Sequence, residues 1–144
     1  MKKVVKASLL VVFLLTLAGC LLKPTSTPVK KLSATATITK VEETGIDALK
    51  ISYKITNTGD LKIDYYQIYF TGKLADGSTI SDWTNGLDVL PGNTHADITY
   101  FDTGGNDVKE VAITTIFLRN HDYNREVTIN PTPQWVPVPY NAGE

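Results

Sequence analysis

The chain has 144 residues, with 14 basic and 15 acidic side chains, two histidines and one cysteine. Three of the basic side chains lie within the first six residues, and the remaining 11 are outnumbered by the 15 acidic ones. An acidic body argues against a nucleic-acid partner, because binding to its backbone depends on Lys and Arg. One cysteine cannot form an internal disulfide. The length nevertheless suffices for one domain to be stabilised by its packed core alone.

The first 19 residues have the three parts of a secretory signal peptide. A start with three lysines is followed by an apolar run over residues 7–17, and small residues precede the only cysteine. The segment Leu17-Ala18-Gly19-Cys20 resembles the lipobox of bacterial lipoproteins. The resemblance implies cleavage before Cys20 and acylation of its sulfur by two chains of the palmitate kind. Two chains suffice for a stable anchor in the cell membrane, on its extracytoplasmic side.

Two alternatives stay open for the signal. An uncleaved spanning helix is disfavoured, because the apolar run is shorter than the about 20 residues that a membrane requires. A secretory signal that is cleaved elsewhere is the second alternative. Residues 20–32 are rich in Pro, Thr, Ser and Lys, and they are predicted to form the lipidated N-terminus and a flexible tether. The tether's lysines either favour an anionic lipid surface or are simply solvated.

Residues 33–129 have the pattern of a β-domain. Short runs rich in Val, Ile, Thr and Tyr are separated by Gly, Asn, Asp and Pro, which are typical of turns. No segment has a convincing helical period. The predicted strands, in chain order, are residues 34–41, 49–56, 61–71, 79–84, 94–101, 108–119 and 127–129.

Three of these runs predict which side chains share a face. Apolar and polar residues alternate over 49–56, as in a strand with one buried face. The run 61–71 is apolar on both faces, which predicts a central strand, with Tyr66, Ile68 and Phe70 on one face and Ile63, Tyr65 and Tyr69 on the other. In the run 108–119, strict alternation places four residues on one face: Val111, Ile113, Thr115 and Phe117.

Seven short strands in about 100 residues predict an all-β fold, a single immunoglobulin-like antiparallel β-sandwich. The segments at 49–60, 65–70, 75–77 and 90–93 follow a recognisable order: strand and Asn-Thr-Gly turn, aromatic strand, Asp-Gly turn, then Leu-Pro-Gly. This order resembles the FxLYD-type domains of bacterial surface lipoproteins. The resemblance implies a sandwich to which no catalytic residues are carried over.

The residues that commonly support catalysis or metal binding are sparse. His95 and His121 are the only histidines, and no nucleophile elbow, zinc-protease motif or phosphate-binding loop is present. The oxygen-rich loop 102–107 is predicted to be a turn, with a calcium site as the alternative. We therefore expect no enzymatic activity, no cofactor and no metal.

Aromatic residues are the better candidates for a binding site. If Tyr66 faces the core, Tyr65 and Tyr69 share the opposite face about 13 Å apart, with Gln67 between them. Together with Trp83 they form a candidate surface for stacking a sugar ring or an apolar patch of a partner. The alternative is that both tyrosines cover the stems of Lys50 and Lys54 across the sheet.

Residues 130–144 form a Pro-rich tail with Trp135 near its centre. Its composition predicts an extended, polyproline-like conformation. Three interpretations are open: a peptide ligand for another protein, a segment that docks Trp135 on its own domain, or a disordered end.

These patterns predict a membrane-anchored lipoprotein whose non-catalytic sandwich acts as a protein-interaction or accessory module of the cell envelope. The alternative is a carbohydrate-binding module that uses the exposed tyrosines and tryptophan. The expected partners are the membrane, through lipid on Cys20, and either an envelope protein or a polysaccharide.

Overall fold

The computed structural model describes residues 27–45 and 47–139, which form an all-β domain. The predicted signal, the lipidation site at Cys20 and residues 140–144 lie outside the described residues. Within the described ranges, no helix is long and apolar enough to cross a membrane. The strands are β1 (Ala34–Glu43), β2 (Ala48–Asn57), β3 (Ile63–Leu74), β4 (Thr79–Val89), β5 (Thr94–Asp102), β6 (Val108–Asn120), β7 (Arg125–Ile129) and β8 (Val136–Pro137).

Two antiparallel sheets form a sandwich. One sheet has the strand order β1-β2-β5, and the other has the order β4-β3-β6-β7, with β8 also paired to β6. Apart from the two-residue β8, three strands face four, and chain neighbours are exchanged between the sheets, as in immunoglobulin-like sandwiches. The predicted fold class is therefore confirmed. All seven predicted strands are present, and β8 is an additional strand within the predicted tail.

The core lies between the sheets and draws on both. In β2, alternate residues are fully buried, as the period of two predicts. Tyr66, Ile68 and Phe70 of β3 are likewise buried, and β3 is a central strand, as predicted. The largest side chains of the core are Tyr53, Tyr66, Phe70 and Phe101.

A β-bulge in β6 overturns one prediction about the core. Tyr69 pairs with Thr115 but Phe70 pairs with Ile113, so that Thr114 has no cross-strand partner. An extra residue reverses the side-chain alternation beyond it. The predicted shared face is consequently wrong: Val111 and Ile113 are buried, followed by Ile116 and Leu118, whereas Thr115 and Phe117 point away from the core.

The Asn-Thr-Gly turn after β2 joins three parts of the chain. The buried Asn57 donates from Nδ2 to the carbonyl oxygens of Leu61 and Val89, at 2.8 and 2.9 Å, and accepts from the Gly59 N–H at 3.0 Å. A Cβ on Gly59 would overlap the carbonyl oxygen of Lys31. Only glycine therefore lets residues 31–33 pack closely against this turn.

The packed domain begins at the end of the predicted tether. Lys31 accepts backbone hydrogen bonds from Asp60 and Leu61, and Leu32 belongs to the core with 4% of its surface exposed. Lys30 donates to the Tyr123 hydroxyl at 2.8 Å. The tether thus reaches the domain at the pole formed by the turns at 57–61, 90–93 and 121–124.

The opposite pole carries the end of the described chain. There the loop at 103–107 meets the loop after β1, through a bond from the Thr103 N–H to the Asp47 carbonyl at 2.9 Å. Nearby, β8 pairs with the first part of β6, and the Val138 N–H donates to the Lys109 carbonyl at 2.9 Å. The two ends of the described chain are therefore at opposite poles of the sandwich.

Candidate functional site

The candidate site occupies the outer face, by which we mean the side chains of β4, β3, β6 and β7 that point away from the core. Alternation in β3 places Tyr65, Gln67 and Tyr69 on this face, each partly exposed. Trp83 of β4 pairs directly with Tyr69, and 51% of its surface is exposed. The structure thus brings all four predicted contact residues onto one surface.

Further residues of the outer face follow from the strand pairing. Gln67 lies between Asn85 of β4 and Phe117 of β6, and Tyr65 lies between Leu87 and Arg119. Thr128 of β7 pairs with Phe117. Amide and hydroxyl groups therefore lie between the aromatic rings across the sheet.

An open groove of about 480 Å³ crosses the centre of this face. Tyr65 and Tyr69 stand at its two ends, and Gln67 lies between them on the strand. Trp83 lies beside the groove, next to Tyr69. The residues that line the groove are Tyr65, Gln67, Tyr69, Thr115, Phe117, Arg119 and Thr128.

Arg119 is the one charged residue in the groove's lining, and its charge is compensated. Its Nε donates to Glu126 at 2.7 Å. Its guanidinium also lies 5.9 Å from the ring centre of Tyr65 and 5.6 Å from that of Phe117, within the range of a cation–π contact. The rings of Tyr65 and Phe117 meet edge to face at 6.3 Å. These contacts hold one end of the groove in a defined arrangement.

The groove also holds polar groups with unused hydrogen-bonding capacity. Gln67 Oε1 accepts from the Tyr69 hydroxyl at 3.2 Å, which orients the amide. Within residues 27–45 and 47–139, the Gln67 Nε2 group, the Asn85 amide and the Thr128 hydroxyl have no hydrogen-bond partner. These groups remain able to bind a ligand through hydrogen bonds.

Sequence reasoning missed the residues that β6 and β7 contribute. Strict alternation placed Thr115 and Phe117 on the same face as Val111 and Ile113, and the bulge at Thr114 turns them to the opposite face, where they line the groove. Both faces of β6 are rich in apolar residues, so hydrophobic periodicity carried no signal for the bulge. Arg119 lies two residues after Phe117 and therefore on the same face of β6. Its place in the groove can be identified only once the bulge is known.

The proposed cover of lysine stems by the two tyrosines is wrong. Lys50 and Lys54 are on β2, in the other sheet, and β3 pairs with β4 and β6. Lys50 instead pairs across the strands with Tyr100 and lies 3.6 Å from a carboxylate oxygen of Glu42. The tyrosines therefore remain partly open to solvent.

Comparison with known proteins adds little to this geometry. No protein-family model matches the sequence, and no curated protein is significantly similar to it. Among solved structures, the chain is similar to IrmA from Escherichia coli, at 12% identity over 69% of this chain and 86% of that one, with a TM-score of 0.49. It is also similar to structural genomics target SoR45, at 12% identity over 74% and 85%, with a TM-score of 0.43.

The histidines lie outside the groove, each at the edge of ion-pair range. His95 Nε2 is 3.8 Å from Asp97, and His121 Nδ1 is 4.0 Å from Asp64. Asp64 also accepts the His121 backbone N–H at 2.7 Å, and this bond, with the Lys62 ammonium at 3.1 Å, lowers the pKa of its carboxyl. These contacts stabilise the turn at 121–124.

The oxygen-rich loop at 102–107 is a hydrogen-bonded turn. Asp102 accepts from the Gly104 N–H at 2.8 Å, and Asn106 donates to the Thr103 carbonyl at 2.7 Å. Asp107 pairs with Lys109. Among the described residues, no three His, Cys, Asp or Glu side chains form a group able to hold a metal ion.

The tail contacts its own domain on the opposite side of β6 from β3. Val136 pairs with Val111, and both Val136 and Val138 pack against the core. The Trp135 ring lies 5.7 Å from the Lys73 ammonium and keeps 38% of its surface exposed. The described part of the tail therefore docks, which was one of its three interpretations.

Proposed function

We propose that the protein is a lipid-anchored, non-catalytic binding module of the cell envelope, and that the outer face is its binding surface. The signal pattern and the lipobox-like segment that ends at Cys20 support the anchor. They also support a location on the extracytoplasmic side of the cell membrane. The resemblance to FxLYD-type lipoprotein domains is in keeping with this proposal.

The observation that carries the binding role is the grouping of the aromatic residues. Tyr65, Tyr69 and Phe117 border one open groove, with Trp83 beside it. Tyrosine, tryptophan and arginine are the residue types that contribute most to binding energy in protein interfaces. The lining contains neither a carboxylate nor an imidazole that would act as a general base, so this surface is suited to binding.

Capture from envelope extracts tests the binding role. Residues 21–144, which contain all eight strands, should retain an envelope component saturably. The double variant Trp83→Ala/Tyr69→Ala should lose that retention. Tyr100→Ala is the matched control, because Tyr100 is an exposed aromatic residue on the other sheet. Equal retention by the wild type and the double variant would contradict the proposed surface.

Membrane fractionation and intact-mass analysis test the anchor. The wild-type protein from its native host should sediment with membranes, begin at Cys20 and carry the added mass of a diacylated sulfur. Cys20→Ala should remain unacylated, with its signal uncleaved at this position. An unmodified Cys20 with residues 1–19 still attached would refute the anchor.

A further inference from the structure

The groove is bordered by aromatic rings, and apart from Arg119, which is paired with Glu126, its polar groups are uncharged. Tyr65 and Tyr69 stand at its ends, the Gln67 amide lies between them, and the Thr128 hydroxyl lies at its side. A pyranose ring has the complementary character, because its C–H face is apolar and its edge carries hydroxyl groups. Aromatic rings would stack on that face while amide and hydroxyl groups bind the edge.

We propose that this groove binds an uncharged, linear glycan. The inference rests on the proposed function, because it names the class of ligand for the same surface. Tyr65 and Tyr69 contact sugar rings by stacking. The free Nε2 of Gln67 donates to a hydroxyl of the sugar between them.

The distribution of charge in the groove favours a neutral ligand. Arg119 pairs through Nε with Glu126 at 2.7 Å, and its guanidinium lies over two aromatic rings, so this end of the groove carries no net charge to attract an acidic sugar. The remaining polar residues of the lining are Gln67, Thr115 and Thr128, none of which carries a charge. An acidic polysaccharide would find no uncompensated cation there.

The size of the surface favours an oligosaccharide over a single sugar. A volume of about 480 Å³ lies within the range of small-ligand sites, which is about 300–1,000 Å³. Beyond Tyr69 the surface continues on β4, where Trp83 is half exposed and the Asn85 amide has no partner among the described residues. A chain of sugars that extends from the groove past Tyr69 therefore also reaches Trp83.

The same arrangement is less suited to a protein partner. The core of a protein interface is a desolvated, contiguous apolar patch. On the outer face, the row of Trp83 and Tyr69 is separated from the row of Leu87 and Tyr65 by Asn85 and Gln67. Burying these amides under an apolar surface would leave their hydrogen bonds unmade.

Titration with defined oligosaccharides tests the inference on residues 21–144. The uncharged probes are cellohexaose, xylohexaose and chitohexaose, and an oligogalacturonate is the acidic probe. At least one uncharged probe should change the tryptophan fluorescence and bind by calorimetry. The two tryptophans separate the signal: Trp83→Phe should abolish the fluorescence change, whereas Trp135→Phe should preserve it.

Three variants locate the site. Tyr69→Ala and Gln67→Glu should each weaken binding of the uncharged probe at least tenfold, with an unchanged circular dichroism spectrum. Tyr100→Ala, on the other sheet, should bind like the wild type. Gln67→Glu preserves the size of the side chain, so the test does not depend on how the sheet tolerates the loss of an aromatic ring.

Each other outcome overturns the inference. Binding that is insensitive to Tyr69→Ala and Gln67→Glu places the glycan elsewhere, and tighter binding of the oligogalacturonate refutes a neutral ligand. If no uncharged probe binds, but an envelope protein is retained in a manner that depends on Trp83 and Tyr69, the glycan is refuted and the binding module stands. If neither binds, both proposals fail.

Discussion

Two tyrosine hydroxyl groups meet in the core between the sheets. The hydroxyl oxygens of Tyr53 and Tyr66 are 3.3 Å apart, and both residues are almost completely buried. Burial raises the pKa of both phenols, so that they stay neutral at physiological pH. Each hydroxyl therefore has the other as its hydrogen-bond partner.

This pair predicts that each hydroxyl depends on the other. Tyr53→Phe should lower the free energy of unfolding by about 1–3 kcal/mol, because it leaves the Tyr66 hydroxyl buried without a partner. Tyr66→Phe should have an effect of the same order, because it leaves the Tyr53 hydroxyl in the same position. The double variant should cost less than the sum of the two, measured by urea unfolding as a double-mutant cycle. Strictly additive effects would show that the two hydroxyls do not interact.

Asp64 makes part of the fold's stability depend on pH. Its side chain is 13% exposed, and its pKa is lowered chiefly by the His121 backbone N–H and also by Lys62. A carboxyl whose folded-state pKa is lowered stabilises the fold above its unfolded-state pKa of about 3.9. That contribution is lost as the pH falls through the lower, folded-state value.

Asp64→Ala should therefore destabilise the protein at pH 7 by about 1–2 kcal/mol through the lost hydrogen bonds. The difference from the wild type should shrink as the pH falls from about 5 to below the folded-state pKa. Thermal unfolding over this pH range is the measurement. Asp122→Ala, an exposed change in the same turn, is the control. A difference that stays constant with pH would contradict the role of the carboxylate.

At the scale of elements, aspartate side chains accept hydrogen bonds from backbone N–H groups of the two facing edge strands, β4 and β5. Asp97 accepts the Ile98 N–H at 2.8 Å on β5. Asp82 of β4 accepts both its neighbour's N–H at Trp83, at 2.7 Å, and the Asp102 N–H of β5, at 3.0 Å. Unpaired edge groups promote pairing with other chains, and charged side chains at an edge oppose it.

Asp97→Ala should therefore promote self-association through β5. The variant frees the Ile98 N–H next to the exposed side chains of Ile98 and Tyr100, which would favour pairing between copies. Light scattering after size exclusion should show a mass that rises with protein concentration, whereas Asp107→Ala should stay like the wild type. A monomeric Asp97→Ala at all concentrations would show that this carboxylate does not protect the edge.

Sequence patterns were sufficient for most elements and failed where the backbone departs from regular pairing. β4 runs to Val89, whereas the sequence predicted a strand that ends at residue 84. A Cβ on Gly86 would overlap the Tyr66 ring, so this glycine serves packing inside a strand. β8 was not predicted because Pro137 is compatible with a strand only at an edge, where its missing N–H is not needed.

The candidate site was likewise only partly predictable from the sequence. Alternation in β3 sufficed to place Tyr65, Gln67 and Tyr69 on one face. The groove itself required Phe117 and Arg119, whose side was set by one unpaired residue at position 114. No local pattern reveals where a central strand with two apolar faces takes up an extra residue.

At the scale of the whole molecule, one core joins the two sheets. Buried residues of β2 and β3 belong to a single cluster, and no disulfide supports it. We expect residues 21–144 to unfold in urea as one cooperative transition, with coincident curves from circular dichroism and tryptophan fluorescence. Two separate transitions would show that the sheets unfold independently.

The opposite placement of the chain ends sets how the protein would stand on its proposed anchor. Strands run between the pole that receives Lys30 and the pole that carries β8. With the lipid on Cys20, the strands would therefore rise away from the bilayer, and the groove would open sideways. The eleven residues from Cys20 to Lys30, joined by ten peptide bonds, span at most about 35 Å when fully extended. The groove would then reach ligands beside it, within a thin layer above the lipid. Lengthening residues 20–30 would let the groove reach ligands farther from the membrane.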